Sequence, residues 1–132
     1  MSNKKLIALL VLGSSAVFAE ASIEGTYKCN GIDPYLNNKA YTGKLVVKAQ
    51  GNNVYHTIMD YDEGDKKSHD SFIYIGVGLF NNNVLSIGFQ NKLDMSSVGM
   101  QNYTYTATKN QLQGNWVYLE KNKVGHETCV KQ

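Results

Sequence analysis

From Ile23 onward the chain consists of short runs of β-branched and aromatic residues, interrupted by Asn and Gly about every ten to fourteen residues. No stretch sustains an apolar repeat at helical spacing. Such runs can bury their apolar side chains only by pairing as strands, so the fold class is all-β. The runs predict strands near residues 23–30, 41–49, 53–60, 70–79, 84–90, 99–108, 111–119 and 124–131. Successive hairpins of eight strands can close into an eight-stranded antiparallel up-and-down barrel with no free edge. A two-sheet sandwich is the alternative.

The turn residues support the hairpin reading. Gln50-Gly51-Asn52, Asn81-Asn82-Asn83, Lys109-Asn110 and Lys121-Asn122 supply residues that tolerate positive φ, and each predicts a tight hairpin. Two connections are longer, 31–39 around Asp33-Pro34 and 92–98, and 61–69 forms a polar hairpin tip. Loops of this kind are where binding residues concentrate. Gly76, Gly78, Gly88 and Gly114 fall inside strands, where glycine marks bends or close backbone approach. The expected architecture is that of lipocalin- or avidin-like barrels.

Residues 1–19 have the order of a secretory signal: Lys4 and Lys5, the apolar run Leu6–Leu12, then small residues ending in Ala19. The apolar run is too short for a membrane span, which needs about 20 residues. One domain, 20–132, remains. Without Lys4 and Lys5 its 11 lysines balance 11 acidic residues, and it has no Arg. That balance argues against nucleic acid, where affinity comes from neutralised phosphates and base readout leans on Arg. The exported part carries the only two cysteines, Cys29 and Cys129. In an oxidising periplasmic or extracellular compartment the default is one disulfide, which here would staple the first strand to the last.

Catalytic and metal signals are weak. Asp60-Tyr61-Asp62-Glu63-Gly64-Asp65 superficially resembles a calcium loop, but Gly64 comes one place early and position twelve would be Ser71. His56, His69 and His126 stand singly, without metal-ligand spacing. Ser68-His69-Asp70 is consecutive, and neighbours along a strand point to opposite faces. No spacing selects a pair of acids for glycosidase chemistry. The expectation is a non-catalytic binding protein without metal or cofactor.

Aromatic residues recur on most of the predicted strands: Tyr27, Tyr41, Tyr55 and Tyr74, then Tyr103, Tyr105, Trp116 and Tyr118. Tyr103 shares a face with Tyr105, and Trp116 with Tyr118. They can fill the barrel, or line an amphipathic pocket with hydroxyl handles. The weight of Tyr over small residues favours a filled interior, with binding at the rim through 31–39, 61–69 and 92–98. Candidate ligand-binding residues are Tyr27, Tyr103, Tyr105 and Trp116, with Glu127 as a buried polar handle or as the partner of a cross-strand Lys.

Several segments together resemble one family. They are Gly25-Thr26-Tyr27, Asp33-Pro34, Tyr41-Thr42-Gly43, Gly76-Val77-Gly78, Asn83 to Phe89, Leu112 to Trp116 and Gly125-His126-Glu127-Thr128. In order and spacing they resemble small exported bacterial proteins called fibronectin-binding proteins, and the likeness covers nearly all of the exported chain. The chain departs from that pattern at Met59 and in its two cysteines. The resemblance implies an extracytoplasmic barrel-like domain that binds a host extracellular protein, fibronectin. The alternative is a carrier of a small amphipathic ligand. Tyr27-Lys28-Cys29 with Cys129 also resembles the cysteine layout of periplasmic lysozyme inhibitors, but Ser96 to Tyr103 does not reproduce their inhibitory loop spacing. The exported protein should have an intact mass that begins at residue 20 or 22 and rises by two alkyl groups only after reduction. Free thiols without reduction would contradict the staple.

Overall fold

The computed structural model describes residues 22–62 and 72–132, together with Gly13. Residues 1–12 and 14–21, which include the rest of the predicted export signal, and residues 63–71 lie outside the described residues. Eight strands run β1 (Gly25–Asp33), β2 (Lys39–Gly51), β3 (Val54–Asp62), β4 (Ile73–Asn81), β5 (Val84–Asn91), β6 (Val98–Thr106), β7 (Gln111–Tyr118) and β8 (Gly125–Lys131). Each pairs antiparallel with its neighbours in sequence, and β8 pairs back onto β1, so the sheet is a closed up-and-down barrel. The sandwich is thereby excluded.

Period-two patterning decides which side chains enter. In β2, Leu45 and Val47 are buried while Thr42, Lys44 and Lys48 are exposed, as a half-buried strand requires. The same alternation buries Tyr27 and Cys29 on β1, Thr57 and Met59 on β3, and Gln101, Tyr103 and Tyr105 on β6.

The predicted turns differ in how they are built. Asn52, Asn53, Asn82, Asn83 and Asn110 all have φ between 47° and 61°, the left-handed region that Asn visits at low cost. Lys121-Asn122 does not form a tight hairpin. The β7–β8 connection takes six residues, 119–124, and its left-handed residue is Glu120 with φ 61°. The 31–39 loop is also shorter than expected, because Gly31, Ile32 and Asp33 stay paired with Tyr41, Ala40 and Lys39. Asp33 then accepts the Tyr35 N–H at 2.8 Å and starts one 3-10 turn, Pro34–Leu36, where proline's fixed φ suits the first position.

Up-and-down topology sorts the connections by end. The tight turns β2–β3, β4–β5 and β6–β7 gather at one end, with the start of β1 and the finish of β8. The connections β1–β2, β3–β4, β5–β6 and β7–β8 gather at the other. The tight end is packed solid by Ile23, Tyr27, Leu45, Leu85, Tyr103 and Leu112, all 0–1% exposed. Tyr27 donates its hydroxyl proton to the Ile23 carbonyl at 2.6 Å, which lets a phenol sit in that core.

Across the β1–β8 seam Cys29 stands opposite Cys129, and the two form a fully buried disulfide. It closes a loop of 100 residues, for which chain entropy allows about 4.7 kcal/mol of stabilisation. Because both sulfurs are enclosed, mild reductant should leave the native protein oxidised and act only under unfolding conditions. Once reduced, the protein should lose about 2–5 kcal/mol in denaturant titration. Rapid reduction of the native state would contradict the buried seam.

Candidate functional site

At the open end the barrel is not filled. A cavity of about 430 Å³ opens between the β1–β2 turn and the inward faces of β2, β3, β4 and β7. Tyr41, Tyr61, Tyr74, Tyr118 and Trp116 line it, and Tyr35 leans over it from the 3-10 turn. Their ring centroids make a closed circuit: Tyr41–Tyr61 5.1 Å, Tyr61–Tyr74 5.5 Å, Tyr74–Tyr118 6.4 Å, Tyr118–Trp116 5.3 Å and Trp116–Tyr41 6.4 Å. Several of the contacts are edge-to-face, a geometry that contributes about 0.5–1.5 kcal/mol per pair beyond area burial. The cup wall is therefore held by its own rings.

Local sequence explains how such large rings fit. Gly31 on β1 faces Tyr41, and a Cβ there would collide with the phenol. Gly125 on β8 faces Trp116, and a Cβ there would enter the indole. These two glycines leave the space that the two aromatic rings occupy. Gly114, predicted as a bend or close approach, faces the Asn102 carbonyl too closely for any side chain, whereas Gly88 points into open space.

Below the cup lies Glu127, 2% exposed. Tyr41 donates to its Oε1 at 2.9 Å, Gln101 Nε2 donates to its Oε2 at 2.6 Å, and the Tyr103 hydroxyl also donates to Oε2. Trp116 Nε1 in turn donates to the Tyr41 oxygen at 2.9 Å, linking cup wall to floor. Opposite Glu127 stand Gly31 and Gly114 rather than a lysine. Burial pushes the Glu127 carboxyl up, against the opposing pull of the three hydrogen bonds. The same burial, with Glu127 nearby, raises the Tyr41, Tyr61 and Tyr103 phenols, so all remain protonated donors.

The predicted ligand residues do not all come together. Trp116 lines the cup and Glu127 and Tyr103 form its floor, but Tyr27 and Tyr105 belong to the packed core of the opposite end. The expectation of a filled interior therefore holds for one half of the barrel only. β3 runs two residues beyond the predicted end at residue 60, so the alternation of Tyr55, Thr57 and Met59 continues one step further and brings Tyr61 inward. Tyr35 lies in a turn, where no periodicity marks it.

Cys29, Glu127 and Cys129 lie close enough to suggest a metal cluster, but both sulfurs are spent in the disulfide and offer no thiolate. His56 and His126 are exposed on the outer wall, His126 bonded to Asn115 at 2.6 Å. Asp60 and Asp62 of the calcium-like run belong to β3, while 63–65 and Ser68-His69-Asp70 lie outside the described residues. Ser96 and Ser97 both donate to Asp94, which these hydrogen bonds hold below the usual carboxylate range. A broader, shallow hollow of about 750 Å³ crosses the barrel wall from β2 to β6, with Thr57 as its buried polar residue. Compared with protein-family models, with curated proteins and with solved structures, the chain matches none.

A carboxyl whose folded pKa exceeds its unfolded value holds an extra proton in the native state. Stability then falls as pH rises from about 4.3, the unfolded value, to the raised folded value. Glu127→Gln removes that proton, so the difference between wild type and variant in urea midpoint should change with pH across this window, by up to about 1.4 kcal/mol per pH unit. A constant difference would show that Glu127 is not desolvated.

Proposed function

We propose that this is an exported, non-catalytic binding protein whose open-end cup takes one small amphipathic ligand. The observation that carries the reading is the cavity itself: about 430 Å³, within the range of small-molecule sites, with an aromatic wall and a polar floor. The wall is braced before any ligand arrives, and pre-organisation of this kind reduces the ordering cost of binding. The hydroxyls of Tyr74 and Tyr118, 3.0 Å apart, make the polar part of the wall, while that of Tyr35 is taken by the Lys123 backbone. The buried disulfide fits an oxidising, exported compartment. An apolar interior with Lys28, Lys44 and Lys48 outside is the reverse of the pattern a membrane barrel needs.

A second reading is docking of a host extracellular protein such as fibronectin, and one observation favours it. β4 turns Ile75, Val77 and Leu79 outward at 40%, 53% and 62% exposure, an apolar row on the barrel wall. Native mass spectrometry of the exported protein tests the first reading, with an expected ligand-sized mass increment that Tyr118→Leu reduces. A surface-immobilised fibronectin assay tests the second, with Val77→Lys as the variant. Saturable fibronectin binding lost in Val77→Lys, without any ligand in the cup, would replace the first reading by the second.

A further inference from the structure

We propose that the cup selects an organic cation of the alkylated-ammonium class, over neutral or anionic ligands of the same shape. This deepens the reading of the cup as a small-ligand site and rests on it. The circuit of Tyr41, Tyr61, Tyr74, Tyr118 and Trp116 has neighbouring centroids 5.1–6.4 Å apart. All five rings line one cavity, and a ring attracts a cation held over its face within ~6 Å of its centroid. Aromatic faces carry negative potential, so an aromatic wall of this kind favours a positively charged guest.

The fixed charges add to this. Asp33 and Asp62 line the cavity, and Lys39 is the one base among its described lining residues. Lys123 is directed to the Pro34 carbonyl at 3.5 Å. No Arg exists anywhere in the chain to receive a carboxylate or phosphate in bidentate fashion. Among the described lining residues an anionic ligand would meet Asp33, Asp62 and the aromatic wall, with Lys39 the one base in compensation. A cation with methyl groups satisfies both the apolar wall and its potential, and a compact ammonium that must keep its water does so less well.

Three probes of one shape and different charge test the inference: choline, its neutral isostere neohexyl alcohol, and tert-butylacetate. Each is titrated into the disulfide-intact exported protein, followed by calorimetry and by fluorescence of Trp116, the single tryptophan. Choline should bind saturably and at least about tenfold more tightly than the alcohol, with the anion weaker again. Asp33→Asn keeps an acceptor for the Tyr35 N–H and removes only charge. It should weaken choline several-fold and leave the alcohol unchanged, while Tyr118→Leu weakens both. Equal or tighter binding of the alcohol or the anion would overturn the cation inference and leave the cup reading standing. Silence with all three probes, together with no co-purified ligand mass, would overturn both. Choline binding indifferent to Asp33→Asn and Tyr118→Leu, in variants whose circular dichroism and disulfide state match wild type, would place the cation elsewhere and overturn the assignment.

Discussion

Closure of the β8–β1 seam is the constraint on which the other features depend. An eight-stranded sheet left open would expose two edges and have no interior. With β8 paired to β1, Cys29 meets Cys129, and the same register sets Glu127 opposite Gly31. That absent side chain is what lets Tyr41 swing in from β2 to reach Glu127. A one-residue slip of β8 would turn Glu127 and Cys129 outward, away from Cys29, since the side-chain period is two. The disulfide forbids it covalently.

The closed barrel creates an electrostatic problem and solves it with neutral groups. An ionised carboxylate buried without a partner is very costly, and the usual outcomes are a counter-ion or a proton. Among the described residues Glu127 has three neutral donors and no lysine against it. A raised pKa follows from that environment, and the hydrogen bonds stop the group from being an orphan. Such a network also fixes ring orientation: Tyr41 is held between Glu127 and the Trp116 indole, so the cup wall inherits its geometry from the floor.

The two halves of the barrel show how one composition serves two purposes. At the tight end Tyr27 and Tyr105 pack among Leu and Ile, with short Asn turns that cover the core. At the open end the rings pack against each other around a space, because the inward positions beside them are glycines, Gly31, Gly99 and Gly125, which add no volume to the centre. The longer connections collect there because antiparallel hairpins alternate ends, so every second connection falls on the same rim.

Much of the barrel was legible in the sequence because strand alternation and turn chemistry are local properties. Inward Leu45 and Val47 between outward lysines, left-handed Asn pairs at three of the turns, and a cysteine on each terminal strand all operate over a few residues or through compartment chemistry. The cup was not legible. Alternation says that Tyr41, Tyr61, Tyr74 and Tyr118 face inward, but their height along the barrel axis depends on strand stagger, which pairs residues far apart in sequence. Tyr27 and Trp116 therefore read alike in the sequence, although one lies in packed core and the other borders a cavity. Glu127 likewise reads either as a buried polar handle or as the partner of a cross-strand Lys. Only closure of the seam, which puts glycine opposite it and three donors around it, turns it into the buried floor of a site.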